Sequence, residues 1–189
     1  MTITLVRHAP VVVDWGVRLY ADELEAWMVR YDAAPIDTTP PTNGVDRVIA
    51  SADCIVASSL RRTSDSLAVL GAVPDRIDPL FDEASVPVSQ GRIFHLRPMQ
   101  WLSYFRLRAL LGGLGRDGAM RRLARRADKA ADLLAELARI HGNVVLMGHG
   151  AINHFIARVL KQRGWQVSAA HNAQKNWGWI RFETNRGSA

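Results

Sequence analysis

The 189-residue sequence has one cysteine, Cys54, so an intramolecular disulfide and a cysteine metal cluster are both excluded. A chain of this length can bury a full core without such staples. No apolar run approaches the length of a membrane span. The N-terminus has no basic region followed by a long apolar stretch, which predicts no signal peptide and a cytoplasmic protein. Several catalytic signatures are missing too. A cysteine phosphatase needs Cys-x5-Arg, but counting on from Cys54 puts Leu60 at the arginine position. There is no Gly-x-Ser-x-Gly elbow. His149 and His154 stand five apart and diverge on a helix, a poor metal pair, so no metal and no cofactor is expected. "GLGRDG" (113–118) fits Gly-x-Gly-x-x-Gly by letter, yet it follows no strand and is set aside as a nucleotide fingerprint.

What is present is an ordinary globular balance, 48% hydrophobic and 22% charged, with a formal net charge of +6 and a pI near 10.2. Arginine supplies nearly all of the excess. Such a charge favours anionic partners, although a basic solvated surface without a partner accounts for it equally well. The clearest basic stripe is Arg121, Arg122, Arg125, Arg126 and Lys129 on one helix face. It reads as solvated and far from any strand end, and nucleic acid is not the expected partner.

The apolar pattern alternates between two types. "ITLV" (3–6), "CIVA" (54–57) and "NVVLM" (143–147) read as buried strands, and "WGWIRFE" (177–183) as a last strand. Helical spacing covers 19–31, 58–71, 98–115, 118–142 and 150–164. Ser58 is the expected N-terminal cap of the second helix and Gly71 its end. "AAPIDTTPPTNG" (33–44) is a loop, and 75–92 reads as extended and loop-like. Strands alternating with amphipathic helices predict an α/β fold with three layers, a mainly parallel sheet with helices on both faces. The whole chain, 1–189, reads as one domain with a cap or insertion around 84–117.

In such sheets ligands bind beyond the carboxyl ends of the strands. "ITLV" runs into Arg7 and His8. "CIVA" runs into Ser58, Ser59, Arg61 and Arg62. "NVVLM" runs into Gly148, His149 and Gly150. If the strands are parallel neighbours, two histidines and at least two arginines converge on one point. Arginine forks match phosphate oxygens, and the helix opening at Gly150 offers free backbone N–H groups.

The ordered set "LVRHA", "ASSLRRTSDSL" and "VVLMGHGAINHFIARVL", with the acidic "FDEASVP" between, resembles the histidine phosphatase superfamily, the phosphoglycerate mutase-like phosphatases. The likeness spans residues 5 to about 160. It implies a phosphoglycerate mutase-like fold and a phosphomonoester hydrolase that acts without a metal. By this resemblance His8 is the nucleophile that takes the phosphoryl group. Arg7 and Arg62 clamp phosphate oxygens, with Ser59 and Gly150 alongside. His149 stabilises the transferring charge. Glu83 is the general acid, with adjacent Asp82 the alternative. The substrate is then a phosphorylated small molecule or phosphoprotein, not a membrane. The sequence departs from the family pattern at Ala9, where the family has glycine, and in lacking a Gly-x-Trp-Glu-Gly stretch. The alternatives are a phosphomutase of the same fold and a catalytically weakened phosphate-binding scaffold.

Overall fold

The computed structural model describes residues 1–84, 92–110 and 119–184, with the backbone alone at 106–110 and 119–120. Its central strands are β1 (Thr2–Arg7), β2 (Cys54–Ala57) and β4 (Asn143–Gly148). In β4 every side chain from Val144 to Met147 is fully buried. Val144 and Leu146 face one apolar cluster, and Val145 and Met147 the other, as a period of two demands. A strand buried on both faces needs a helical layer on each side.

One layer is α5 (Ala119–His141) with α6 (Gly150–Gln162). Ala127, Ala130, Ala131 and Ala138 let α5 lie close to the sheet, while Leu123 and Leu134 fill the gaps. The other layer is α2 (Val45–Ala50) with α3 (Arg61–Val69), whose Val45, Val48, Ile49 and Leu67 pack on Val6, Ala57 and Met147. Two helices end in Schellman motifs. Gly71 and Gly164 take left-handed backbone (φ 68° and 85°), and the next residues, Ala72 and Trp165, donate back to Leu67 and Leu160.

A third apolar cluster stands apart from these two. It joins α1 (Leu24–Ala33) to α4 (Pro98–Leu110) through Leu24, Trp27, Trp101 and Phe105, and a bridge pairs Leu19 with Leu96. Much of the cap expected at 84–117 lies outside the described residues.

The remaining strands are β3 (Arg76–Ile77), β5 (Gln166–His171) and β6 (Trp179–Glu183), and the sheet order is β3-β2-β4-β1-β6-β5. The first four of these strands run parallel; β6 is antiparallel to both β1 and β5. This is the three-layer, mainly parallel α/β sheet that the alternating pattern predicts. The differences are at its margins. β3 and the edge strand β5 are mostly exposed and carry no apolar period, and α2 has under two turns, so the sequence reading passes over all three. Ser58 is not the cap of α3: that position is Leu60, and the Ser58 hydroxyl is used elsewhere.

Candidate active site

The register puts the ends of β1, β4 and β2 side by side. Arg7 pairs with Gly148, and Ala57 with Met147. The residues that follow therefore meet. His8 is 2% exposed and His149 fully buried, with ring centroids 5.1 Å apart. His8 Nδ1 lies 2.6 Å from the Ala9 carbonyl oxygen. A carbonyl only accepts, so Nδ1 carries the proton and Nε2 keeps its lone pair. Burial, then Arg62 and Arg7, pushes the His8 pKa from 6.5 down to about 3. His149 is held well below its usual value by burial first, then by Arg62, His8, Arg7 and Arg126. Both rings are neutral at pH 7.

The bonds of His149 fix its tautomer. Arg62 Nε donates to Nδ1 at 3.1 Å, so the proton sits on Nε2 and is donated to Ser58 Oγ at 2.6 Å. Ser58 also accepts from the Leu60 amide and lies 3.3 Å from Thr63 Oγ1. Both ring nitrogens of His149 are thus engaged within the protein.

Arg62 is 3% exposed and faces the histidines, while Arg61 turns outward to Asp65. Beyond its bond to His149, Arg62 donates from Nη1 to Asp32 Oδ1 at 2.6 Å and lies 5.1 Å from the Tyr31 ring centroid. Both partners come from the end of α1. Tyr31 is raised above its normal pKa by burial, against the opposing pull of Arg62 and Arg7, with Glu83 and Asp32 adding to the rise. Charges of both signs thus surround that phenol.

Arg7 donates from Nη1 to the Gln174 carbonyl, and its Nε is buried with no partner among the described residues. Gly150 packs beside Arg7: a Cβ there would meet the guanidinium at 3.5 Å, an ordinary van der Waals contact. Glu83 sits at the opening of α6: its carboxylate accepts from the Ala151 amide at 3.1 Å and the Ile152 amide at 3.1 Å. Carboxylate against a helix N-terminus is a favourable pairing. Asp82 turns away, accepting from the Ser59 amide at 2.8 Å and its hydroxyl at 2.7 Å. Ser59 is therefore occupied by Asp82, and the buried serine beside the histidines is Ser58.

Arg126 departs from the solvated face expected of it. Arg121, Arg122 and Arg125 are exposed, but Arg126 is half-buried, donates to the Asp82 carbonyl at 2.6 Å and has a buried Nε with no partner among the described residues. Ala9, in place of the glycine, is fully buried, and its amide donates to Ser66 Oγ at 2.9 Å.

Beside Arg7 opens a cavity of about 490 Å³ lined by Pro10, Val11, Trp15, Tyr31, Met99 and the run Gln174-Lys175-Asn176. That run belongs to the turn between β5 and β6. Asn176 Nδ2 holds the His8 and Ala9 carbonyls at 2.8 and 3.0 Å, and the Trp177 amide donates to the Arg7 carbonyl at 3.0 Å. Trp177 sits at φ 60°, a strained conformation for a bulky residue that costs roughly 1–2 kcal/mol. The sequence reading missed this turn, Asp32 and the site role of Tyr31. The signal for the turn is its polar run "HNAQKN" next to a strand, but only the antiparallel pairing of β6 with β1 brings it to this end of the sheet. Among the described residues no group of three or more His, Cys, Asp or Glu is placed to hold a metal ion.

No family model matches the chain, and no curated protein matches its sequence. Solved structures match its fold. An open-reading-frame product of Mycobacterium tuberculosis superposes with a TM-score of 0.57 at 16% identity, covering 98% of this chain and 92% of the other. A phosphoserine phosphatase of Entamoeba histolytica, solved with 3-phosphoglyceric acid, gives 0.57 at 16%, covering 96% and 90%. A protein described as mycobacterial hydrolase 1 gives 0.54 at 17%, covering 100% and 99%. The chain shares with these structures a three-layer α/β fold built on a mainly parallel sheet.

Proposed function

We propose that the chain is a metal-independent phosphomonoester hydrolase that works through a phosphohistidine on His8. One observation carries the reading. His8 is a buried, neutral imidazole between two arginines, with its Nδ1 proton committed to the Ala9 carbonyl. That leaves the Nε2 lone pair as the reactive group.

Arg7 and Arg62 neutralise the phosphate oxygens. Phosphoryl transfer depends mostly on such positioning and charge neutralisation. Arg62 uses Nε and Nη1 on His149 and Asp32, which leaves Nη2 for a phosphate oxygen. His149 acts through Arg62, since both of its nitrogens are engaged. Nε2 of His8 attacks phosphorus, the bond to the leaving oxygen breaks, and Glu83, which enters this step as the carboxylic acid, delivers its proton to that oxygen. Water then attacks the phosphohistidine, Glu83 takes its proton, and phosphate leaves. Ser59 holds Asp82, and Arg126 holds the Asp82 carbonyl; together they fix the loop that carries Glu83. Within the 84–117 segment, α4 serves as part of a cap, a reading supported by Met99 at the cavity wall. Phosphorylated small molecules fit a recessed cavity of this size, and one fold neighbour is a phosphoserine phosphatase.

The test is phosphate release from 4-nitrophenyl phosphate. Wild type turns over, chelator leaves the rate unchanged, vanadate inhibits, and His8→Ala is folded and inactive. Equal rates in wild type and His8→Ala would remove His8 from the chemistry. Transfer to an added alcohol in preference to water would make the protein a mutase.

A further inference from the structure

The cavity beside Arg7 is larger than a phosphate needs, and its chemistry is one-sided. Among the described residues no carboxylate lines it. Among the described residues its charges are Arg7 and Lys175. Lys175 is exposed and has no acidic partner among the described residues. A cation left unpaired in a ligand cavity is positioned to receive an anion.

Its lining also holds two aromatic rings. Trp15 stands edge-on to Tyr31, with ring centroids 5.7 Å apart and planes at 69°. Trp27 stacks on Tyr31 at 5.5 Å and Arg62 lies over the same ring at 5.1 Å, so the surface open to a flat ring is that of Trp15, with Tyr31 beside it. Trp15 is 36% exposed, a large apolar surface that an occupant of the cavity would cover. Pro10, Val11 and Met99 complete the apolar side. The cation is not placed by chance flexibility of a tail. Its turn is tied to the His8 segment through Asn176, to Arg7 through the Gln174 carbonyl and to Asn43 through the Trp177 carbonyl.

We infer that this cavity selects phosphate monoesters of aromatic alcohols that carry a second anionic group. The ester phosphate lies on Arg7 and Arg62, the ring against Trp15, and the distal carboxylate accepts from Lys175 Nζ. The inference rests on the proposed phosphatase reading, and names the substrate class of that site.

The probes are benzyl phosphate, its 4-carboxy derivative and propyl phosphate, compared by kcat/KM, with the matching phosphonates, which cannot be hydrolysed, titrated by calorimetry. In wild type the carboxybenzyl ester exceeds the benzyl ester by about tenfold, the worth of one charge-assisted contact. Benzyl in turn exceeds propyl. Lys175→Met brings the carboxyl preference to near one, and Trp15→Ala erases the ring preference. Lys161→Met, on the end of α6, keeps both ratios. Hydrolysis with no carboxyl preference, or a preference that survives Lys175→Met, overturns the inference. The phosphonates separate the two readings. If no ester is hydrolysed yet the carboxybenzyl phosphonate binds more tightly in a Lys175-dependent way, the hydrolase reading falls and the binding specificity stands. Equal binding of all three phosphonates overturns the specificity whether or not esters are hydrolysed.

Discussion

Replacing His8 by Asn should change how the fold responds to acid, by an amount the structure sets. The folded imidazole has its pKa lowered to about 3 by burial, Arg62 and Arg7, while the unfolded ring stays near 6.5. Between these values the unfolded chain binds a proton that the folded chain does not. Stability from this residue is therefore complete above pH 6.5, falls as pH drops through 6.5, and stops falling below about pH 3. At pH 4.5 the unfolded ring is protonated roughly 100:1 and the folded ring is not. The cost is about RT ln 100, or about 2.7 kcal/mol. Since pH 4.5 lies well above the folded pKa, that figure is set by the unfolded value. His149 shifts in the same direction and adds to the loss in both proteins. The assay is urea unfolding at pH 7.5 and 4.5 for wild type and His8→Asn. Wild type should lose about 2.7 kcal/mol more than the variant on acidification. The His8 ring should also show no NMR titration near pH 6.5 in the folded protein. Equal acid losses in the two proteins, or a His8 titration near 6.5, would refute the neutral, desolvated nucleophile.

Two further predictions follow from the same site. Glu83→Gln should slow hydrolysis of an alkyl phosphate by about 10²–10⁴-fold and of nitrophenyl phosphate clearly less, because a good leaving group needs little proton donation. Asp82→Asn should weaken both esters alike, through the loop it ties to Ser59; a leaving-group-dependent loss in Asp82→Asn alone would move the acid to Asp82. Asp32→Asn removes the charged partner of a buried arginine and should lower kcat/KM roughly 10–100-fold, with inhibition by inorganic phosphate weakened in parallel. An unchanged phosphate affinity in Asp32→Asn would show that Arg62 holds its place without α1.

The sequence by itself determined the frame. Strand residues buried on both faces must be continuously apolar, so "ITLV", "CIVA" and "NVVLM" were readable as neighbours in a parallel sheet, and α5 as its amphipathic cover. Polar residues directly after such strands must lie at one end of the sheet. Arg7, His8, Arg62 and His149 could thus be placed together from spacing and a motif likeness alone. Only the tertiary structure decided their partners. Asp32 and Tyr31 sit on a helix whose pattern speaks for a core face, and nothing local says that its end meets Arg62, 30 residues on. Whether Arg126 is solvated depends on a carbonyl 44 residues earlier in the chain. The turn from Gln174 to Asn176 reaches the site because β6 runs antiparallel to β1, and strand direction has no signature in composition. Local periodicity reports which side of an element is apolar. Which residue stands opposite a buried charge is set by contacts across the chain, and in this site such contacts, from Arg62 and Ser58, fix the tautomer of His149, whereas that of His8 is set by the adjacent Ala9 carbonyl.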